Sequence, residues 1–198
     1  MRNTAYDVAV WVCWGLFGAV WLAGAAYNAR RAPVVRERSG LALSWLVWVA
    51  AVWLLFRLVP RSDWNPLTVH GSGVRVLGVV VLVASTAFTL WARGALGTMW
   101  SSTPVAREGH QLRTGGPYGI TRHPIYTGLL GMVLGTSLVA GLGQYAVAVA
   151  VVALGLEVKI HYEERLMTRA FPGDYEEYRR RVPQLVPGLY MVPGIGHR

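Results

Sequence analysis

Two short polar stretches hold most of the residue types that could do chemistry in this 198-residue chain. The first runs from Arg107 to Tyr126, REGHQLRTGGPYGITRHPIY. It gathers His110, Gln111, Arg113, Tyr118, Arg122, His123 and Tyr126 around Gly115, Gly116, Pro117, Gly119 and Pro124. Its charge and exposed backbone are too costly in lipid for a membrane span. Plain linkers rarely mix aromatics, His and Arg so densely. Arg122-His123-Pro124 stands just before a helix, and Pro124 suits a first helical turn, where its missing N–H costs nothing. A helix N-terminus with Arg113 and Arg122 beside it suits a carboxylate or phosphate. Tyr118 and Tyr126 could stack on a base or face a cation. The second stretch, GLEVKIHYEERLM, carries Glu157, Lys159, His161, Glu163 and Glu164. Lys159 and Glu163 are four apart and share one helix face, while Glu157, His161 and Glu164 share another. The plain structural alternatives are an interfacial anchor of Arg and Tyr for the first stretch and an ion-paired helix end for the second. Composition alone does not separate these from a ligand site. Glu157, His161 and Glu164 lack further ligands at a recognised metal spacing, so no metal is expected.

These stretches are positioned by apolar blocks. Hydrophobic residues make up 54% of the chain and charged ones 15%, against roughly 25% charged in soluble domains. Mean hydropathy is +0.37. The apolar residues come in long runs, the pattern of an integral membrane protein. The expected spans are Tyr6–Tyr27, Leu41–Val59 and Val74–Leu96, followed by a helical hairpin. Its arms are a shorter glycine-rich block, Ile125–Ala140, and a return arm over 145–166, joined by a tight turn at Gly141 to Gly143. The return arm continues as helix beyond the membrane. In the third span Gly78, Ala84 and Ser85 are small enough to admit a neighbouring helix. A short charged helix, DYEEYRRR, opens the tail, and proline-punctuated coil follows. The fold expected is all-α, with about five transmembrane helices in one domain, residues 1–198. A cofactor pocket on the cytoplasmic side is expected from the loop before the hairpin and the tail, within residues 103–187.

The net charge of +9 does not point to nucleic acid, because most of the arginines flank apolar blocks. Loops 28–40 and 94–124 and the tail hold most of them. The positive-inside rule then places these segments and both polar stretches in the cytoplasm, with the N-terminus outside. A multi-pass protein of a prokaryotic plasma membrane is the expectation. Cys13 is the single cysteine, so no disulfide within the chain is possible and a zinc–thiolate site is not expected.

GHQLRTGGPYGITRHPIYTG followed by EERLMTRAFPGDYEEYRRRVPQLVP resembles the isoprenylcysteine carboxyl methyltransferase family. The related phospholipid N-methyltransferases are similar in the same C-terminal half. The resemblance covers His110 to Pro187, and the N-terminal spans match only in being hydrophobic. It implies a multispan membrane enzyme that uses S-adenosylmethionine and releases S-adenosylhomocysteine. Carried over by motif, the cofactor contacts fall on His110, Gln111, Leu112, Arg113, Tyr118, His123, Pro124, Ile125 and Tyr126. The acidic contact falls on Glu163, or on Glu164 if the register is one place off. Arg122, Lys159 and Glu163 are the catalytic candidates. Lys159 stands where the family has a substrate-binding arginine; lysine keeps the charge and loses the planar fork.

The residue types suit that cofactor: an acid for the amino group or sulfonium, N–H groups and cations for the carboxylate, Tyr and apolar residues for the adenine. A carboxylate acceptor is already ionised at neutral pH. An amine or phenol would need a base, for which Glu163, Glu164 and His161 are placed. The expected acceptor is a lipophilic small molecule or a prenylated substrate reaching the site from the bilayer, with a carboxylate first in line. Two other readings are kept: an NADPH-dependent membrane reductase of the sterol type, and a non-enzymatic membrane scaffold. The oligomeric state is not legible.

Overall fold

In the computed structural model, the residues described are 4–31, 35–38, 71–97, 105–107 and 112–188, with 50, 53–54, 57–58, 60 and 67–69 between them. The elements in order are α1 (Thr4–Arg31), β1 (Val35–Arg38), α2 (Ser72–Leu96), β2 (Val105–Arg107), a 3-10 turn (Gly116–Gly119), α3 (Pro124–Ala140), α4 (Gln144–Ala170) and α5 (Asp174–Arg181). The expected second span, Leu41–Val59, falls largely outside the described residues.

Among the described residues, three helices are long and apolar enough to cross a membrane: Thr4–Asn28, Ser72–Leu96 and Gln144–Ala170. The fourth apolar helix, α3, has 17 residues. At about 1.5 Å per residue it falls short of the roughly 30 Å hydrocarbon core. The helical, membrane-spanning class expected from the sequence is what is observed. One addition is a small ribbon in which β1 pairs antiparallel with β2, Val35 opposite Arg107 and Arg38 opposite Val105. It joins the two arginine-bearing loops, so both lie at one end of the molecule.

Helices α2 and α3 pack backbone to backbone. A methyl group placed on Gly78 would meet Val139 N at 2.8 Å and Gly135 O at 2.9 Å. One on Gly135 would meet Leu82 N at 2.6 Å. Gly128 lies against Thr89 and Gly131 against Ser85. Positions 78, 82, 85 and 89 of α2 thus meet 139, 135, 131 and 128 of α3 in reverse order, which makes the pair antiparallel. Close approach through small residues is how membrane helices gain packing when water cannot drive them together. Gly78 and Ser85 sit in this seam as expected. Ala84 does not: it is exposed, because the seam recurs every three to four residues and 84 falls off that face.

Helix α1 closes the other side. Cys13 joins Leu82 and Met132 in a buried cluster with Val10, Trp14 and Phe17 packed on it. Trp14 Nε1 donates to Thr136 Oγ1 at 3.0 Å. The opposite face of α1 has no protein partner among the described residues; Trp11 is 77% and Leu22 74% exposed, as lipid-facing side chains are.

The α3–α4 turn has three consecutive residues at positive φ, Gly141, Leu142 and Gly143, with values of 93°, 57° and 55°. Glycine accepts that conformation without cost; Leu142 does not. The segment at 67–69 offsets it, with Val69 N donating to Gly141 O at 2.9 Å and Gly143 N to Leu67 O at 3.0 Å. Buried backbone groups at the turn are thereby paired. Beyond α4, α5 carries Asp174, Glu176 and Glu177 in its first turn and Arg179, Arg180 and Arg181 in its last, the order that its dipole favours. Its Tyr175 and Tyr178, with Val182, form a cluster against Leu112, Met167 and Phe171. This apolar contact docks the tail beneath the hairpin.

Candidate functional site

The loop, the far end of α4 and the tail meet at Arg122 and His123. Pro124 occupies the first turn of α3 and His123 is its N-cap, so the helix start holds both side chains in place. Arg122 Nε donates to Glu164 Oε1 at 2.8 Å. Its Nη1 donates to the carbonyls of Val182 at 2.6 Å and Arg179 at 3.2 Å. The backbone follows: Arg122 N donates to Pro183 O at 2.8 Å and His123 N to Gln184 O at 3.1 Å. Thr127 Oγ1 donates to Leu185 O at 2.7 Å. Gln184 reaches back to α4 through Glu157 at 3.0 Å. One short peptide segment is thus laced to two helices.

The His123 imidazole lies between the paired acids. Nδ1 is 3.4 Å from Glu163 Oε2 and Nε2 is 3.2 Å from Glu164 Oε1. Burial disfavours its charged form, but hydrogen bonds and attraction to Glu163 and Glu164 outweigh that, and its pKa is raised above the ordinary 6.5. The ring stacks nearly parallel on Tyr126, with centroids 5.7 Å apart and an interplanar angle of 10°. Tyr126 OH donates to Glu163 Oε1 at 2.9 Å. Lys159 Nζ stands 5.1 Å from the centre of the Tyr126 ring, within cation–π range. His123, Tyr126, Lys159 and Glu163 therefore form one continuous surface.

The two acids differ in what they are free to do. Glu164 is committed to Arg122, His123 and, at 3.5 Å, Arg179. Glu163 is more exposed, 21% against 12% for the side chain. Its acceptor positions, about four, serve His123 and Tyr126 and face the Lys159 ammonium.

Tyr118 is buried in the 3-10 turn. Its OH lies 3.5 Å from Ala92 O, and its carbonyl accepts from Tyr178 OH at 2.6 Å. Burial, foremost, raises the pKa of both phenols, so they stay neutral donors. Leu112 is half-buried against the tail and Arg113 is exposed. Pro124 and Ile125 are buried in packing, Ile125 against Ala92. His110 and Gln111 lie outside the described residues. Of the sequence candidates, then, Tyr126, Lys159 and Glu163 present one shared surface with His123 behind them. Arg122 spends its guanidinium on fastening the tail. Among the described residues no group of three His, Cys, Asp or Glu is arranged to hold a metal.

Two features escape a reading of the sequence. Thr127 and Arg179 carry no motif that marks them as partners of the tail and of Glu164. Arg93 reads as an ordinary basic residue closing a span, yet it is 5% exposed. Its Nη1 donates to Gly97 O at 3.0 Å, and its guanidinium lies against Gly24 of α1. An arginine buried among spans signals such a contact.

The profile of the phospholipid methyltransferase family matches residues 74–174, about half of the chain. A cobalt-zinc-cadmium resistance protein of Cupriavidus metallidurans is 34% identical over 101 residues, covering 50% of this chain and 46% of its own. Methanethiol S-methyltransferase 2 of Bradyrhizobium diazoefficiens is 31% identical over 171 residues, 82% of this chain and 64% of its own. The chain thus spans between about half and two thirds of the length of these relatives. Among solved structures, a eukaryotic intramembrane Ras methyltransferase, isoprenylcysteine carboxyl methyltransferase, has a similar fold. The TM-score is 0.57 at 16% identity, over 77% of this chain and 55% of that one.

Proposed function

We propose, from the premise that the chain belongs to the phospholipid methyltransferase family, that it transfers a methyl group from S-adenosylmethionine to a lipophilic acceptor at the membrane. Residues 1–198 would act as one unit, with 103–187 supplying the cofactor region. The observation that carries this reading is the division of labour between the paired acids. Glu164 is consumed by Arg122 and His123, while Glu163 is left at a half-open surface with Tyr126 and Lys159.

The donor set fits the cofactor. When bound, S-adenosylmethionine supplies an electrophilic methyl group on a sulfonium centre. Glu163 would face the cationic part, and Tyr126 and Tyr118 would border the base. The N–H groups and cations of the Leu112–Arg113 stretch would face the carboxylate, with His110 and Gln111 beside them. His123 holds Glu163 and Tyr126 in register. Holding acceptor and methyl in line is the main catalytic lever available to this set, since orientation alone can supply several kcal/mol, about 7–11 at best.

Lys159 sits one turn before Glu163 on the same face and would bind an anionic acceptor, the role expected for a lipophilic carboxylate. A thiol is the second acceptor class, favoured by the similarity to a protein named for S-methylation of methanethiol. A thiol has a free pKa of about 8.5 and must lose its proton to react, whereas a carboxylate is already ionised. The paired experiment is transfer of labelled methyl from S-adenosylmethionine to lipophilic carboxylic acids and lipophilic thiols, with the protein in nanodiscs. Labelled, extractable product that is lost in Lys159→Met supports the carboxylate reading. Product from thiols alone, with a rate rising towards alkaline pH, replaces it with the thiol. No labelled product from either, by protein that still binds the cofactor, contradicts both acceptor classes.

A further inference from the structure

Behind the site, on the opposite face of α4, lies a cavity of about 450 Å³ lined by His161, Glu164, Arg165, Thr168, Arg169 and Arg179. That volume falls within the roughly 300–1,000 Å³ of small-ligand sites. Successive residues of a helix are turned by about 100°. Glu163 and Lys159 therefore share one side of α4, while 161, 165, 168 and 169 are grouped about half a turn away. Tyr126, Lys159 and Glu163 do not line the cavity.

Its charge is one-sided. Three arginines surround a single acid, and that acid already pairs with Arg122 at 2.8 Å. Arg165 and Arg169 are four apart on α4 and both exposed, and Arg179 is supplied by α5. Arg179 uses Nε towards Glu164 Oε2 at 3.5 Å, and its terminal amino groups take no ion pair among the described residues. Thr168 is not a donor to the cavity, because its hydroxyl donates to Glu164 O at 2.8 Å. The recognising groups are guanidinium forks, whose geometry matches phosphate oxygens in pairs.

The position along α4 also matters. The apolar run of α4 is broken by Glu157 and Lys159. Arg165 and Arg169 follow Lys159 by six and ten residues, so they lie past the apolar run, on the headgroup side of the hydrocarbon core.

We propose that this cavity binds a phosphate group, that of an anionic phospholipid headgroup in the surrounding leaflet, as a ligand that is not methylated. The bound anion lies on the far side of Glu164 from His123, so the Arg179–Glu164 contact joins it to the tail that closes the site.

Native mass spectrometry on the full chain released from nanodiscs tests this. The discs are phosphatidylcholine alone, phosphatidylcholine with phosphatidylglycerol, and phosphatidylcholine with inorganic phosphate added. The variants are Arg165→Gln/Arg169→Gln and, as a control of equal charge loss outside the cavity, Arg30→Gln/Arg180→Gln. Wild type and the control are expected to retain phosphatidylglycerol, and the cavity variant to retain at least about tenfold less, roughly the loss of one charge-assisted hydrogen bond. Phosphate that raises the melting temperature of wild type but not of the cavity variant, without any selective lipid retention, keeps the phosphate site and assigns it to free phosphate. Equal lipid retention in both variants, with no response to phosphate, overturns the proposal. Circular dichroism of each variant in phosphatidylcholine discs separates lost binding from lost fold.

Discussion

The α2–α3 seam and the clasp between the loop, α4 and the tail are held by opposite means. In the seam nothing stands between two backbones; Gly78 and Gly135 let them touch. In the clasp, beside the apolar cluster of Tyr175, Tyr178 and Val182, the contacts are a charged side chain meeting an acid and donors meeting carbonyls of the tail. The seam is damaged by adding atoms and the clasp by removing them. Rigidity therefore has two sources: the scaffold is fixed by shape, and the site is assembled on it by charge.

Glu164→Ala is the sharpest way to break the clasp. It would leave Arg122, whose side chain is 9% exposed, without its carboxylate. Breaking a buried pair from one side costs about 3–5 kcal/mol. Thermal unfolding in detergent should show that loss, with the tail becoming sensitive to protease before the spans unfold. The double variant Arg122→Met/Glu164→Leu should recover part of it. If Glu164→Ala melts like wild type, the clasp is not charge-held.

In the seam the corresponding change is Gly135→Ala, whose new methyl would sit 2.6 Å from Leu82 N. Overpacking of this kind costs about 1–3 kcal/mol. Gly15→Ala and Gly18→Ala on α1, where nothing lies within 4 Å, should stay within about 0.5 kcal/mol of wild type. Equal melting temperatures for all three would remove the distinction between seam and lipid face.

Tyr178→Phe removes one neutral hydrogen bond, to Tyr118 O at 2.6 Å, and is expected to cost about 0.5–1.5 kcal/mol. The subtlest effect is one of pH. His123 has its pKa raised above 6.5 by Glu163 and Glu164 against the opposing effect of burial. A raised value means that the folded state holds the proton more tightly than the unfolded chain. The stabilisation is therefore complete below the ordinary value and is lost as pH rises through the raised one. The melting-temperature gap between wild type and His123→Gln should be constant in acid and narrow on the alkaline side. A gap that ignores pH would mean that folding leaves the His123 pKa unshifted, and a gap that narrows in acid would mean that His123 is held neutral in the fold.

The spans are legible in the sequence because length and apolar runs carry that information: α2, α3 and α4 begin and end close to their expected positions, and the Gly141–Gly143 turn is marked by its glycines. His123 and Glu163 stand out because such residues are scarce in an oily chain, and Arg122 and Tyr126 because they stand close to His123 and Pro124. What they do is less legible. Arg122 reads as a ligand-binding cation, yet its partners are mostly backbone carbonyls of residues 179 and 182, and a carbonyl leaves no mark in a sequence. The seam is half readable: glycine marks close approach, but only helix phase excludes Ala84. The ribbon of Val35–Arg38 with Val105–Arg107 is too short and too charged to show an alternating pattern.

The central claim is that Glu163 and Tyr126 border the cofactor while Glu164 holds the clasp. Calorimetric titration of the purified protein with S-adenosylhomocysteine, with NADPH run in parallel, tests it most directly. Wild type should bind S-adenosylhomocysteine saturably, and Glu163→Gln should weaken that binding at least about tenfold, as loss of one charged contact does, with its helical content retained by circular dichroism. Undiminished binding by Glu163→Gln, or binding of NADPH alone, would contradict it.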